Sequence, residues 1–345
     1  MKRILRVLVV DDSAYVRKTI KQILSRSPFI EVAGTAKDGE EALDKVKELQ
    51  PDVVTLDLMM PGLDGLGFLA KQMASCALPV IVVSTAGGQH DLVLKALEAG
   101  AVDFVQKPSA LANETILEMS EELIEKIKMA GSIRPKRIEP AALTKTCEPV
   151  PETAIKKAAV IVIGISTGGP QGLRYLIPQL PEDFRIPIAI VLHIPSGFTE
   201  VYAAKLNELS KLKVREAKEG DALRPGLVLI APGGRHLTFL RHADGSVAAH
   251  LDARPSNALH TPSVDVLFES AAEVFQDRVL GIVMTGMGSD GKQGAERIKT
   301  QGGRIYTEAE ETCVVYGMPS AVVKAGLSDK SVPINRLAEA MREVG

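Results

Sequence analysis

Cysteine is scarce: Cys76, Cys147 and Cys313 are the three in 345 residues, far apart and without a CxxC pair. That argues against a disulfide framework or a zinc ribbon and fits a reducing cytoplasm. Charge of one sign is also lacking, since 41 Lys and Arg against 43 Asp and Glu leave a net charge of -2. No global field draws nucleic acid or an anionic membrane, so a charged partner must be met by a local patch. There is no uninterrupted apolar run of about 18 residues, and so no membrane span is expected. The opening MKRILRVLVV is interrupted by Arg6, ends at Asp11 and Asp12 and has no cleavage site after it. It reads as a first buried strand, not a signal peptide. Fixed-period repeats and low-complexity segments are missing as well.

What is present is a rhythm. Length favours two compact units. Over residues 1–130, short Val/Ile/Leu runs (RVLVV, VVTLDL, PVIVVS) alternate with amphipathic stretches (VRKTIKQIL, GFLAKQM, LVLKALEAG). This is the pattern of parallel βα units in a doubly wound sheet. Helical spacing of Ile116, Leu117, Leu123, Ile124 and Ile127 closes the unit. Residues 131–157 carry Pro135, Pro140, Pro149 and Pro151 without a long apolar period, and read as a linker. From 158 to 345 the rhythm resumes with AAVIVIGI, IPIAIVLHI, LVLIAP and RVLGIVMTG. The expected fold is therefore α/β, two doubly wound, mostly parallel-sheet domains joined by a linker.

Ligands of such sheets gather beyond the carboxyl ends of the strands. In the first half those ends carry Asp11 and Asp12, Asp57, Ser84 and Lys107. Acids at a helix start can simply be caps. Three carboxylates on one rim nonetheless repel each other unless a cation sits among them, and hard oxygen ligands suit Mg²⁺. The lysine and the hydroxyl stand where a phosphoryl group needs them. Through VVDDS, DLMMPGLDG, VVST and DFVQKP, in order and spacing, this half resembles a two-component receiver domain, which is flavodoxin-like. The resemblance implies that Asp57 accepts phosphate from a histidine kinase. It further implies that Asp12, Asp57 and the Met59 carbonyl hold Mg²⁺, with Asp11 acting through water. Ser84 and Lys107 would contact the phosphoryl oxygens, and Phe104 would be the switch aromatic.

The second half opens on VIVIGISTGGP, which poses a choice between a phosphate cradle and a presented nucleophile. A dinucleotide fingerprint would need glycine at 166, where serine stands, and an acid at the end of the next strand, which carries His193 instead. Asp290 follows a later buried strand in TGMGSDG, so three successive strand ends offer Ser, His and Asp. A hydroxyl at a strand-to-helix turn, an imidazole and a carboxylate are what nucleophilic acyl transfer requires. The order Ser, His, Asp differs from that of the α/β-hydrolases, and G-x-S-x-G is absent, so a convergent triad is inferred. Pro170 suits a first helical turn, and the Thr167 N–H could point at a developing oxyanion. Singly, each residue has a plainer role open to it: Ser166 a helix cap, His193 a core histidine, Asp290 a turn former. Among the other histidines, His236 in APGGRH and His260 in NALHTPS read as loop residues, with a place along the cleft open to them.

With ISTGGP, VLHIP, APGGRH, TGMGSDG and YGMPSA, residues 158–345 resemble the catalytic domain of the chemotaxis protein-glutamate methylesterases, a Rossmann-like domain. The receiver in front matches that family's domain order. The resemblance implies hydrolysis of γ-glutamyl methyl esters on chemoreceptor cytoplasmic helices and deamidation of particular receptor glutamines, with activation by phosphorylation. Ser166 would be nucleophile, His193 base and then acid, Asp290 the orienting carboxylate, and the N–H groups of Thr167 and Met287 the oxyanion hole. No metal is implied for the esterase. The expected partners are the chemotaxis kinase and the receptor helices, with no nucleic acid and no membrane insertion, for a cytoplasmic monomer. Two rivals are a DNA-binding output, which would need a basic helix-turn-helix, and a nucleotide-binding output using ISTGGP and GMGSDG as phosphate loops.

Overall fold

The computed structural model describes residues 3–85, 90–107, 113–132, 157–255 and 258–344, with the backbone alone for 85 and 113–118. The proline-bearing stretch 133–156 and Cys147 lie outside these residues, as does Pro108; the helical spacing of Ile116 and Leu117 falls on side chains not described. The chain divides into two compact units, Met1–Glu139 and Pro140–Gly345.

The first unit alternates strand and helix throughout: β1 (Leu5–Val10), α1 (Ala14–Leu24), β2 (Ile30–Ala36), α2 (Gly39–Leu49), β3 (Val53–Leu56), α3 (Gly65–Ser75), β4 (Val80–Thr85), α4 (His90–Glu98), β5 (Asp103–Lys107) and α5 (Asn113–Ala130). Its sheet has the order β2-β1-β3-β4-β5, every pair parallel. This is the flavodoxin-like order, with its switch point between β1 and β3. Strand residues Val7, Val9, Ile81 and Val105 pack with helix residues Ile20, Ile23, Leu123 and Ile127, all buried. Side-chain caps start the helices sharply: Ser13 accepts the Val16 N–H, Asp38 the Glu41 N–H and Asp64 the Gly67 N–H. Buried strands covered by helices on both faces leave the strand ends as the place for polar chemistry.

The second unit runs β6 (Val160–Ile165), α6 (Gly169–Leu176), β7 (Ile188–Leu192), α7 (Phe198–Leu209), β8 (Lys213–Glu216), β9 (Leu227–Ile230), β10 (His236–Arg241), β11 (Val247–Asp252), α8 (Val264–Phe275), β12 (Val279–Val283), α9 (Lys292–Thr300), β13 (Arg304–Glu308), α10 (Met318–Lys324), β14 (Lys330–Val332) and α11 (Ile334–Arg342). Seven parallel strands are ordered β14-β13-β12-β6-β7-β9-β8, and β10 with β11 forms a separate antiparallel hairpin. Outward from β6 the chain winds through β7 and β9 on one side, then through β12, β13 and β14 on the other. That is the Rossmann winding with β8 added at an edge, and its switch point lies between β6 and β12.

Two readings of the sequence change here. The ends bearing Ser166, His193 and Asp290 are not successive in the chain, because β8 to β11 intervene; they adjoin in the sheet, as β7, β6 and β12. His236 is not a loop residue: it opens β10 and is fully buried.

Candidate functional site

Ser166 stands one residue past β6. Its N–H donates to the Thr285 carbonyl at 3.0 Å, and the neighbouring Ile165 carbonyl accepts the His193 N–H at 3.1 Å. The β6–β7 register, Ile165 beside Leu192, places Ser166 and His193 side by side when continued by one residue. Helix α6 is capped by Gly168 at φ 78°, with no side-chain cap bond. The Ser166 hydroxyl is therefore not spent as a helix cap. Glycine serves at 168 because a left-handed cap there turns the chain into a helix whose first turn holds Pro170.

The His193 side chain is 8 % exposed, and its Nε2 lies 2.9 Å from Asp290 Oδ2. Its Nδ1 is buried without a hydrogen-bond partner among the described residues. The His260 ring stacks on it at 4.2 Å between centroids, from the turn before α8. His260 thus lies in a loop at the site, where its sequence setting allowed it.

Asp290 is held by the start of α8. Its Oδ1 accepts from Ser263 Oγ at 2.9 Å, the Asp265 N–H at 2.9 Å and the Gly291 N–H at 3.0 Å, while Oδ2 also accepts the Val264 N–H at 2.8 Å. The first turn of a helix offers unsatisfied N–H groups and positive potential to a carboxylate. Gly164 in β6 permits this approach, since a Cβ there would lie 2.2 Å from Val264 Cγ1. Burial alone would push the Asp290 carboxyl up, but the His193 contact and the helix N–H groups outweigh it and hold Asp290 below the usual carboxylate range. Beside it, Asp265 moves the other way: burial, reinforced by the Asp290 charge, raises its carboxyl although the Gly294 N–H donates to it at 2.7 Å. Asp290 is the member of the pair that stays ionised.

Behind this cluster His236 Nδ1 accepts the Ser263 N–H at 3.1 Å. Accepting there assigns the ring proton to Nε2, and burial lowers the imidazole's pKa. Reading by sequence missed Ser263 and the α8 N–H groups. A signal existed in Ser263 followed by an apolar helical run with Asp265 in its first turn, but nothing local ties that helix start to Asp290. The turn bearing Thr167 and the segment bearing Met287 come together, as the Thr285 hydroxyl donates to the Thr167 carbonyl at 3.0 Å. Thr167 is 5 % and Met287 37 % exposed.

The first unit carries a separate acidic pocket. Ligand oxygens of Asp11, Asp12 and Asp57 lie within 4.8 Å of one another. Asp11 and Asp57 are 1 % and 7 % exposed. Lys107 Nζ sits between them, 2.7 Å from Asp11 Oδ2 and 3.0 Å from Asp57 Oδ2. Asp57 Oδ1 accepts the Leu58 N–H at 2.8 Å, and Asp11 Oδ1 the Ser13 N–H at 2.9 Å. Burial raises the Asp11 carboxyl, an effect that Lys107 opposes without cancelling. Ser84 is buried at the end of β4, and Met59 is exposed on the loop after β3. Phe104 is buried; the Lys126 ammonium lies 5.5 Å from its ring centroid and donates to its carbonyl at 2.6 Å. No described helix is long and apolar enough to cross a membrane.

Comparison with known proteins finds a family match in each half of the chain. Residues 7–119 match the response regulator receiver domain, and residues 161–341 match the CheB methylesterase family. A protein-glutamate methylesterase/protein-glutamine glutaminase of Myxococcus xanthus is 50% identical over 98% of this chain and 97% of its own length. Its Thermotoga maritima counterpart is 40% identical over 99% of each. The crystal structure of the Thermotoga maritima CheB methylesterase catalytic domain superposes with a TM-score of 0.53 at 40% identity, covering 55% of this chain and 99% of that one. With that family's model matched over residues 161–341, a receiver matched over residues 7–119 and such relatives covered almost end to end, the chain belongs to the CheB methylesterase family.

Proposed function

We propose that the protein is a phosphorylation-activated serine hydrolase of the cytoplasm that removes methyl from γ-glutamyl methyl esters on chemoreceptor helices and deamidates particular receptor glutamines. The observation that carries this reading is the state of His193, which adjoins Ser166 through the β6–β7 register: Nε2 is committed to an ionised Asp290, while Nδ1 is buried and without a hydrogen-bond partner among the described residues. With Nε2 donating to Asp290, Nδ1 holds the lone pair and is the base. Ser166 Oγ gives its proton to Nδ1 as it attacks the ester carbon, and the carbonyl electron pair moves onto oxygen, where the N–H groups of Thr167 and Met287 receive it. The tetrahedral intermediate collapses, His193 protonates the departing oxygen, and methanol leaves. Water then attacks the acyl-serine with His193 again as base, which frees the glutamate and restores Ser166. In deamidation ammonia leaves in place of methanol.

In the receiver, Asp57 is the acceptor for a phosphoryl group from a histidine kinase. Clustered hard carboxylate oxygens within 4.8 Å fit Mg²⁺. Asp12, Asp57 and the Met59 carbonyl would hold it, with Asp11 through water, and the ion supplies charge neutralisation at the phosphoryl oxygens. Lys107 and Ser84 take up phosphoryl oxygens, adding charge-assisted bonds that shift the unit towards its active state, and Phe104 is the aromatic that reports the shift. Methanol release from methylated receptor membranes, with and without a small phosphodonor, tests the reading. Release that rises with the donor is expected; none in either condition would refute it.

A further inference from the structure

Beneath the Ser166 turn lie two polar side chains that no step above uses. Glu308, at the end of β13, is fully buried. Its Oε2 accepts the Thr285 N–H at 2.9 Å and its Oε1 the Thr312 hydroxyl at 3.0 Å. A buried carboxyl is costly to keep, and both oxygens here fix neighbouring groups.

Thr285 is 2 % exposed, and each of its polar atoms is engaged. The N–H meets Glu308, and the carbonyl accepts the Ser166 N–H at 3.0 Å. The hydroxyl oxygen accepts the Val315 N–H at 2.9 Å and donates its one proton to the Thr167 carbonyl at 3.0 Å, the Val315 carbonyl at 3.3 Å being the longer alternative. The peptide plane that carries the Thr167 N–H thus lies between two groups, the Ser166 N–H and the Thr167 carbonyl, both bound to Thr285. On the other side, Thr285 leads within two residues to Met287, and the intervening Gly286 donates to Val315 O at 3.0 Å while its carbonyl accepts from Gly317 and Met318.

We propose that Thr285, anchored from behind by Glu308, is the positioning residue that fixes the Thr167 and Met287 N–H groups relative to each other. The inference rests on the esterase reading. Oxyanion stabilisation depends on donors aimed in advance at the developing charge, and tenths of an ångström in their spacing matter. The β6–β12 ladder ends at Ser166 N–H to Thr285 carbonyl; the Thr285 hydroxyl extends the tie by one residue, to the place where the donor peptide begins.

The test compares Thr285→Val, which keeps shape but loses the hydroxyl, with Thr285→Ser, which keeps the hydroxyl, by methanol release from methylated receptor membranes in the full-length, phosphodonor-treated protein. The valine variant is expected to lose about 10- to 100-fold in kcat with KM changed less than about threefold, because aligned donors act on the transition state and not on the bound ester. The serine variant is expected to stay within about threefold of wild type in kcat, as a positioned hydroxyl survives. A valine variant with wild-type kcat, or a serine variant as impaired as valine, would overturn the proposal, as would a loss confined to KM. The serine arm keeps the idea refutable even where valine prevents folding. Wild-type protein that releases no methanol overturns the esterase reading and this inference with it, whereas active wild type with an unimpaired valine variant overturns the inference alone.

Discussion

His193 turns Nε2, not Nδ1, towards Asp290, at 2.9 Å. The nitrogen that serves Ser166 in the proposed mechanism is therefore Nδ1, the one nearer the backbone. Because Asp290 is also bonded by the first turn of α8, it cannot follow the imidazole if the ring moves. Rigid aspartate and rigid helix together select one ring orientation and one tautomer.

Ser166→Ala should cost on the order of 10³-fold or more in ester hydrolysis, as expected on loss of a triad nucleophile. Folding should be untouched, since the hydroxyl caps no helix. Asp290→Asn should cost less at neutral pH, because in the proposed mechanism the carboxylate orients His193 and does not bond to substrate. Methanol release and fluorophosphonate labelling of both variants check this; an asparagine variant weaker than the alanine variant would reverse the assigned roles.

Asp57→Asn should abolish stimulation by phosphodonor and keep the unstimulated esterase rate, since the proposed acceptor and the proposed triad belong to different units. Phosphate incorporation is measured beside methanol release. Wild-type levels of stable phosphate on the variant would remove Asp57 as acceptor.

Glu308 gives a pH signature. Burial raises its carboxyl in the fold, so the folded state binds the proton more tightly than the unfolded chain does. Stability from this group is present below its unfolded pKa, about 4.3, and is lost as pH rises through the folded value. Glu308→Gln, neutral at every pH, can still accept the Thr285 N–H and donate to Thr312, whose own proton can turn to the Ala309 carbonyl at 3.2 Å. The glutamine variant should melt above wild type at neutral pH, with the gap closing towards pH 4. A gap that widens on acidification contradicts the sign.

His236→Phe should destabilise by about 1–3 kcal/mol, the cost of leaving the buried Ser263 N–H without its acceptor. Esterase activity should fall with it, because Ser263 is the cap that also donates to Asp290. Exposed His242 makes no such contact with its ring among the described residues, and His242→Ala should leave melting unchanged. Denaturant melts of both full-length variants, read with methanol release, decide the matter; a phenylalanine variant as stable as wild type would show that the Ser263 N–H finds another acceptor.

The sequence alone determined where polar chemistry is displayed. Apolar runs such as RVLVV, VVTL and AAVIVIGI mark buried parallel strands, and the residues just past them, Asp11, Asp57 and Ser166, fall at strand ends by local periodicity. Strand order was beyond its reach. Nothing between Leu192 and Val279 states that β12 returns to lie beside β6, because that neighbourhood is decided by helices packing on both sheet faces. Asp290 therefore meets His193 only in the folded unit, and so does the start of α8, brought against β6 where Gly164 leaves room for Val264. His236 was misplaced for the same reason: APGGRH looks like a turn, yet its last residue enters a hairpin strand whose burial comes from contacts remote in sequence. Which imidazole nitrogen serves as base, and which buried groups brace the Ser166 turn, are likewise properties of the tertiary structure, since each rests on atoms from separate strands held within hydrogen-bond distance.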